Sequence, residues 1–226
     1  PNFHKDFQFR CYGAYGLEDK EFKYGLFSDY VFSRTKWSKI GAYVKEDVEL
    51  IGLTDENNGT SAIYDAFAMF GTNQLNRSFT KSFWLEKELT KGYTQLIDFK
   101  HKTFEFEPVD GFEFGYYGTP NDSSSIRSNF DITSVRLKGR LSHKEQFIYR
   151  RNSRYSLGNL KAPVLSVDYT HSFNNLLGGD FKFDKVGLEL WQYSSLGNFG
   201  TFEYTLKAYR TFGEAPYPSL FIMRGN

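Results

Sequence analysis

Four histidines, one cysteine and a short run of carboxylates are the residues of this chain whose types could carry acid, base, nucleophilic or metal chemistry. His4, His101, His143 and His171 stand on four separate segments without ligand spacing, so a metal site would require folding to bring them together. The plainer reading is four solvated or strand-end histidines. Cys11 is the only cysteine, which excludes an intrachain disulfide and a multi-cysteine zinc site. Glu46, Asp47 and Glu49 could serve as paired carboxylates in general acid–base work. At the end of a strand they read more simply as a solvated or interior-facing charge group. No Gly-x-Ser-x-Gly nucleophile motif is present. The expected list of catalytic, cofactor-binding and metal-binding residues is therefore empty. A hydrolase would need residues such as Glu46, Asp47 and His143 assembled in space.

Two further groups invite binding rather than catalysis. Arg150, Arg151 and Arg154 could hold lipopolysaccharide phosphates at a rim, or face a polar lumen and pair with acidic neighbours. Thr60 or Ser61 could cap a short loop helix, Ala62 to Phe70. That helix could plug a lumen, dock a partner, or pack Ile63, Phe67 and Phe70 on strand ends. Asn58-Gly59-Thr60 matches a eukaryotic glycosylation sequon, which is a chance match if the source is bacterial.

The elements that must position these groups are strands. Phe7 to Phe32 reads as two strand-length runs joined by a charged turn. In the second, Phe22, Tyr24, Leu26, Tyr30 and Phe32 fall on one parity, with Ser28 interrupting, and Glu21, Lys23, Gly25 and Asp29 on the other. A period of two sends those sets to opposite faces of a sheet. The pattern recurs at Ile40, Ala42 and Val44, at Phe79, Phe83, Leu85 and Leu89, and at Ile97 and Phe99. It recurs again at Val135, Leu137 and Leu141, at Val186, Leu188 and Leu190, and at Phe202, Tyr204, Leu206, Ala208 and Phe212. Phe130 to Leu141 and Glu145 to Tyr155 read as a strand pair around a tight turn at Ser142-His143-Lys144. About ten strands result, most of roughly 10 to 13 residues, where sheets in soluble domains average about 5 or 6. A strand tilted about 45° needs roughly 9 to 11 residues to cross a bilayer. Connections also sort by length, with Thr90 to Gly92 and Ser142 to Lys144 tight, and Glu49 to Arg77 and Glu107 to Ile126 long. Outer-membrane barrels sort their turns and loops in that way.

Composition agrees. The chain has 226 residues and a formal net charge of +1, so no bulk field selects nucleic acid as partner. Aromatics supply 19% of residues, yet mean hydropathy is -0.53, a combination that suits strands with one greasy and one polar face. No run approaches the roughly 18 apolar residues of a spanning helix. Pro1-Asn2-Phe3-His4 and the stretch from Pro216 to Asn226 both read as an excerpt from a longer chain.

Several segments also carry a resemblance: Tyr12-Gly13-Ala14-Tyr15-Gly16 with Asp19-Lys20 and Phe22-Lys23-Tyr24-Gly25, Arg150-Arg151 with Ser156-Leu157-Gly158, Leu177-Gly178-Gly179-Asp180, and Phe212-Gly213 with Pro216-Tyr217-Pro218. In that order they are similar to an uncharacterised family of large outer-membrane proteins of Gram-negative bacteria, in which a carboxypeptidase-regulatory-like sandwich precedes a barrel domain of unknown function. The resemblance implies a fold and a bacterial outer-membrane location, and no reaction. The expected architecture is thus all-β: residues 1–226 as part of an antiparallel transmembrane β-barrel with one short loop helix. Phe22, Tyr24, Leu26, Tyr30, Phe32, Phe202, Tyr204 and Leu206 are expected to face lipid, with Trp37, Trp84 and Trp191 as candidates for interfacial girdles. The expected role is a channel, or a subunit of an outer-membrane transport or assembly complex with other outer-membrane proteins as partners, and needs no cofactor. A rim hydrolase acting on lipid or peptide, and a soluble aromatic-rich sandwich or barrel binding module, are the alternatives.

Overall fold

The computed structural model describes residues 6–16, 21–50, 75–106, 116–117, 126–127, 129–157 and 162–221. The strands are β1 (Phe7–Tyr15), β2 (Phe22–Ser33), β3 (Ser38–Leu50), β4 (Leu75–Thr90), β5 (Tyr93–Phe106), the two-residue β6 (Tyr116–Tyr117) and β7 (Ile126–Arg127), and β8 (Asn129–Leu141). They continue with the short β9 (Phe147–Arg150) and β10 (Ser153–Ser156), then β11 (Val164–Phe173), β12 (Phe183–Ser195) and β13 (Thr201–Gly213). Nine of them form one antiparallel sheet in the order β1-β2-β3-β4-β5-β8-β11-β12-β13, while β6–β7 and β9–β10 pair only with each other. The sheet is open: β1 and β13 each have one partner. His4, the Asn58 sequon and the expected helix at 62–70 lie outside the described residues.

The long runs become long strands because alternation is uninterrupted and each finds a neighbour in register. One row across the hydrogen bonds reads Phe7, Tyr30, Ile40, Leu85, Ile97, Leu137, Tyr169, Val186. A row on the opposite face reads Asp29, Gly41, Trp84, Asp98, Arg136, Thr170, Lys185. Parity in eight separate strands therefore adds up to two continuous faces.

Burial on these faces is inverted relative to a soluble sheet. Leu26, Leu137, Val167, Leu188 and Leu206 are exposed, whereas Asp29, Asp98, Asp168 and Lys185 are buried. Serines and threonines accompany the charges, among them Ser82, Thr94, Ser134, Ser166 and Ser172. At the end of this polar face near the long connections lies the apolar cluster of Phe104, Phe106, Phe130, Ile132 and Phe183, with Phe181 and Ala215 against it. Phe104 stacks on Phe130 at 4.8 Å, and Phe181 meets Phe130 edge-on at 5.4 Å. This small core closes one end of the polar face.

Two expectations change. The run Glu145 to Tyr155 is not the partner of β8, which pairs with β5 and β11 instead. It reverses on itself at Arg151-Asn152, with Arg151 at φ 52°, to make the β9–β10 hairpin. The connection from β8 to β11 is consequently long, so tight turns at that end of the sheet are those at 34–37, 91–92 and 196–200. Nor do the tryptophans lie on the apolar face. Trp84 sits between Gly41 and Asp98, and Trp191 pairs across to Thr205 on the polar parity. Trp37 is buried in the turn after β2.

Gly92 is at φ 86°, and a Cβ there would stand 2.3 Å from the carbonyl oxygen of Ser142. That turn also accepts a bond at the same place, since the Ser142 N–H donates to the Gly92 carbonyl at 2.8 Å. Gly92→Ala should therefore destabilise the protein by about 1–3 kcal/mol, the cost of a left-handed non-glycine residue, read as a lower midpoint in denaturant unfolding.

Candidate functional site

The β9–β10 hairpin leaves the sheet after β8 and lies back across the polar face. Its turn reaches β2, four strand spacings away in the sheet order β8-β5-β4-β3-β2. There the Asn152 amide donates to Asp29 Oδ2 at 2.9 Å and to the Asp6 carbonyl at 2.7 Å. Asn152 is 1% exposed, so both bonds are made away from water. The carboxylate it touches is shared by Lys39 at 3.3 Å and Arg10 at 3.8 Å. From the turn after β2, Arg34 donates to the Arg151 carbonyl at 2.8 Å while its other nitrogens hold Asp6.

Arg154 is the second anchor. Its side chain is 9% exposed, and its guanidinium carbon lies 5.2 Å from the centre of the Trp37 ring and 4.7 Å from that of Phe147. Around its edge, Nη1 donates to Glu88 at 3.2 Å, Nη2 donates to the Thr94 hydroxyl at 2.6 Å, and Glu86 lies at 3.5 Å. The Trp37 indole N–H donates to the same Glu86. Tyr149 packs on the other side of Trp37 with ring centres 5.6 Å apart. Stacked faces and charge-paired edges are the arrangement in which a guanidinium contributes most.

The base of the hairpin is fixed by Glu145, whose carboxylate takes two parallel bonds from Arg140 at 2.6 and 2.8 Å. Its side chain is 1% exposed. Burial alone would push its pKa up, but hydrogen bonds from Arg140, Ser156 and Ser142 together with the Arg140 charge outweigh that and hold it below the usual carboxylate range.

Between hairpin and sheet a cavity of about 480 Å³ remains, lined by Trp37, Lys39, Trp84, Glu86, Lys138, Arg140 and Arg154 among others. Trp84 is laid flat over Gly41, where a Cβ would stand 2.5 Å from the indole, and Lys39 lies over its ring at 5.2 Å. Further along the same face Arg136 grips Asp168, Ser82 donates to Asp98 at 2.5 Å, and Lys138 lies 3.7 Å from Glu189.

The sequence-based candidates distribute as follows. Of the three arginines, Arg154 pairs with carboxylates on the polar face, whereas Arg150 and Arg151 are exposed beside it. Phe22, Leu26, Tyr30, Phe32, Phe202 and Leu206 share the exposed apolar face, with Tyr24 and Tyr204 half-buried on it. Glu46 and Asp47 are consecutive on β3 and so point to opposite faces, Glu46 to Arg77 and Asp47 to the Tyr12 hydroxyl at 3.0 Å. His143 lies at the other end of the sheet, beyond the end of β8 beside the 91–92 turn, and does not meet them. His101 bonds Thr133 at 2.9 Å and His171 bonds Asp184 at 2.7 Å. Among the described residues no three His, Cys, Asp or Glu side chains form a metal-sized group. Sequence reasoning assigned Trp37 to an interfacial girdle and gave no role to Asn152 or Glu145; the buried Asn152–Asp29 pair spans distant elements, and only the Asn152 turn had a local signal.

A family of unknown function, described as the DUF5686 C-terminal domain, matches residues 117–210, which include the hairpin with β8, β11 and β12. No curated protein matches the chain.

Glu145 sets a pH limit on the hairpin. Its folded pKa is depressed, so its contribution is fully present above the unfolded value of about 4.3 and is lost as pH falls through the folded value. Amide hydrogen exchange in β9 and β10 should accelerate as pH drops below about 4, after correction for intrinsic rates, and Glu145→Gln should flatten that dependence.

Proposed function

We propose that this chain is part of an integral β-barrel of the bacterial outer membrane, with its apolar face in lipid, its charged face lining the interior, and a role in passage or assembly of cargo at that membrane. The observation that carries the reading is the inverted burial: aliphatic and aromatic side chains outside, aspartates and a lysine inside. In water a face of that kind would be an association liability, whereas in a bilayer it is the stable arrangement. On β12 the apolar stripe is short, Val186, Leu188 and Leu190 between Asp184 and Gln192. On β2 it runs from Phe22 to Phe32, about 33 Å. At a tilt of 35–45° the β2 stripe corresponds to a band of roughly 23–27 Å, near that of outer-membrane barrels.

The lipid setting also makes a demand on the edges. Unpaired backbone groups on β1 and β13 have no water to turn to in hydrocarbon, so both edges must pair with further strands. The interior so enclosed is occupied by the hairpin, which fits a conduit that is closed at rest.

Three measurements test this. The protein should require detergent for extraction from membranes; recovery from an aqueous fraction without detergent would sink the lipid assignment. Adjacent residues on β8 should differ sharply: Leu137→Arg should cost about 2–4 kcal/mol near the midplane, and Lys138→Gln much less, with equal tolerance counting against the barrel. In planar bilayers the full-length protein should pass little current, and replacing residues 143–162 by a short turn should raise it. If neither form conducts and the protein purifies as a solitary monomer, the transport and assembly role is wrong.

A further inference from the structure

The groups around Arg154 divide by origin. Phe147 belongs to the hairpin, while Trp37, Glu86, Glu88 and Thr94 belong to the sheet and its tight turn. Ladder register sets the sheet's contribution without help from the hairpin, since Glu88 stands directly across from Thr94 and Glu86 one pleat further along the same face. Glu88 is steadied on its other oxygen by the Gly92 N–H at 3.1 Å. The result is an indole face, two carboxylates and a hydroxyl acceptor converging on one point. A metal ion makes no use of the indole, and an ammonium ion, a compact point charge, cannot lie flat on the ring while donating in its own plane to both carboxylates and the hydroxyl. A planar guanidinium uses all of them, stacking by its face and donating from its edge.

We propose that Trp37, Glu86, Glu88 and Thr94 form a guanidinium-binding site, that Arg154 is its built-in occupant, and that an arginine side chain of a polypeptide cargo takes the place when the hairpin withdraws. The identity of the cargo rests on the transport or assembly reading above; the site does not. Withdrawal leaves the main sheet whole, because β8 and β11 pair directly from Leu141–Leu165 to Thr133–Phe173 and the hairpin is an insertion between them. It also leaves Glu86 with the Trp37 N–H and Glu88 with the Gly92 N–H, and no guanidinium between them. The neighbouring cations have carboxylates of their own, Lys39 with Asp29, Lys138 with Glu189 and Arg140 with Glu145. Two partly buried carboxylates without a cation are costly, and an incoming arginine removes that cost.

Chemical rescue tests the site. In the full chain in detergent, Arg154→Ala vacates it, and guanidinium chloride at sub-denaturing concentration should shift the Trp37 indole N–H resonance saturably, with no such shift in the unaltered protein. Blocked Gly-Arg-Gly should act at lower concentration than blocked Gly-Lys-Gly, and Glu88→Gln should weaken the response at least about tenfold. If Arg154→Ala yields no folded protein, the chain with residues 143–162 replaced by a short turn presents the same site. No saturable shift, equal response to the two peptides, or a response undiminished by Glu88→Gln overturns the site. In the unaltered protein the arginine peptide, and not the lysine peptide, should raise amide exchange in β9 and β10; unchanged exchange overturns the replacement of one occupant by the other. A failed rescue with detergent-dependent extraction intact removes the site alone, and aqueous recovery with rescue intact removes only the lipid reading.

Discussion

A β-ladder permits no half step, and that constraint governs this molecule. Across nine strands each backbone pairing fixes which side chains stand side by side, and a shift of one residue in any strand would move its whole apolar set to the charged face. The row from Phe7 to Val186 and the row from Asp29 to Lys185 exist only because every pairing between them holds. The bulges fall near strand ends, at Val31/Ser33 and at Glu88/Thr90, where they bend a strand without moving its central residues to the other face.

Once charges are gathered on one face, they have to be satisfied there. Asp168 meets Arg136, Asp98 meets Ser82 and Lys100, and Asp29 meets Lys39 and Asn152. The two ends of the face solve the problem differently. Near the long connections an aromatic cluster around Phe130 excludes water. At the tight-turn end the hairpin brings polar atoms instead, and a cavity persists beneath it. The first is a packed closure; the second is held by hydrogen bonds and ion pairs, which a competing group must replace in kind.

Much of the sheet could be read from the chain because period-two alternation is a local signal. Phe22 to Phe32, Val135 to Leu141 and Phe202 to Phe212 all carry it, and all are strands. Trp84 and Trp191 were equally legible by parity, standing one position off Phe83 and Leu190, but their usual place in membrane proteins pulled the expectation to the wrong face. The hairpin was harder. Glu145 to Tyr155 has no glycine or proline at its reversal, only Asn152, and Arg151 adopts the left-handed conformation that its type does not announce. The site could not be read at all from spacing, because Trp37, Glu86, Thr94 and Arg154 meet through tertiary contacts between segments with no local motif in common.

The Asn152–Asp29 bond joins residues 123 apart in the chain. Every strand between β2 and β8 must be in place before that contact has a geometry to form, and loop-closure entropy opposes it until then. The β8–β11 ladder, by contrast, closes across a single connection. Seating of the hairpin is thus a late event in folding, and a seated hairpin certifies that the sheet from β2 to β8 was assembled in the correct register. A strand that slipped by one residue would turn Asp29 or Glu86 away from it, and the hairpin would stay loose, where proteases that remove defective chains can reach it.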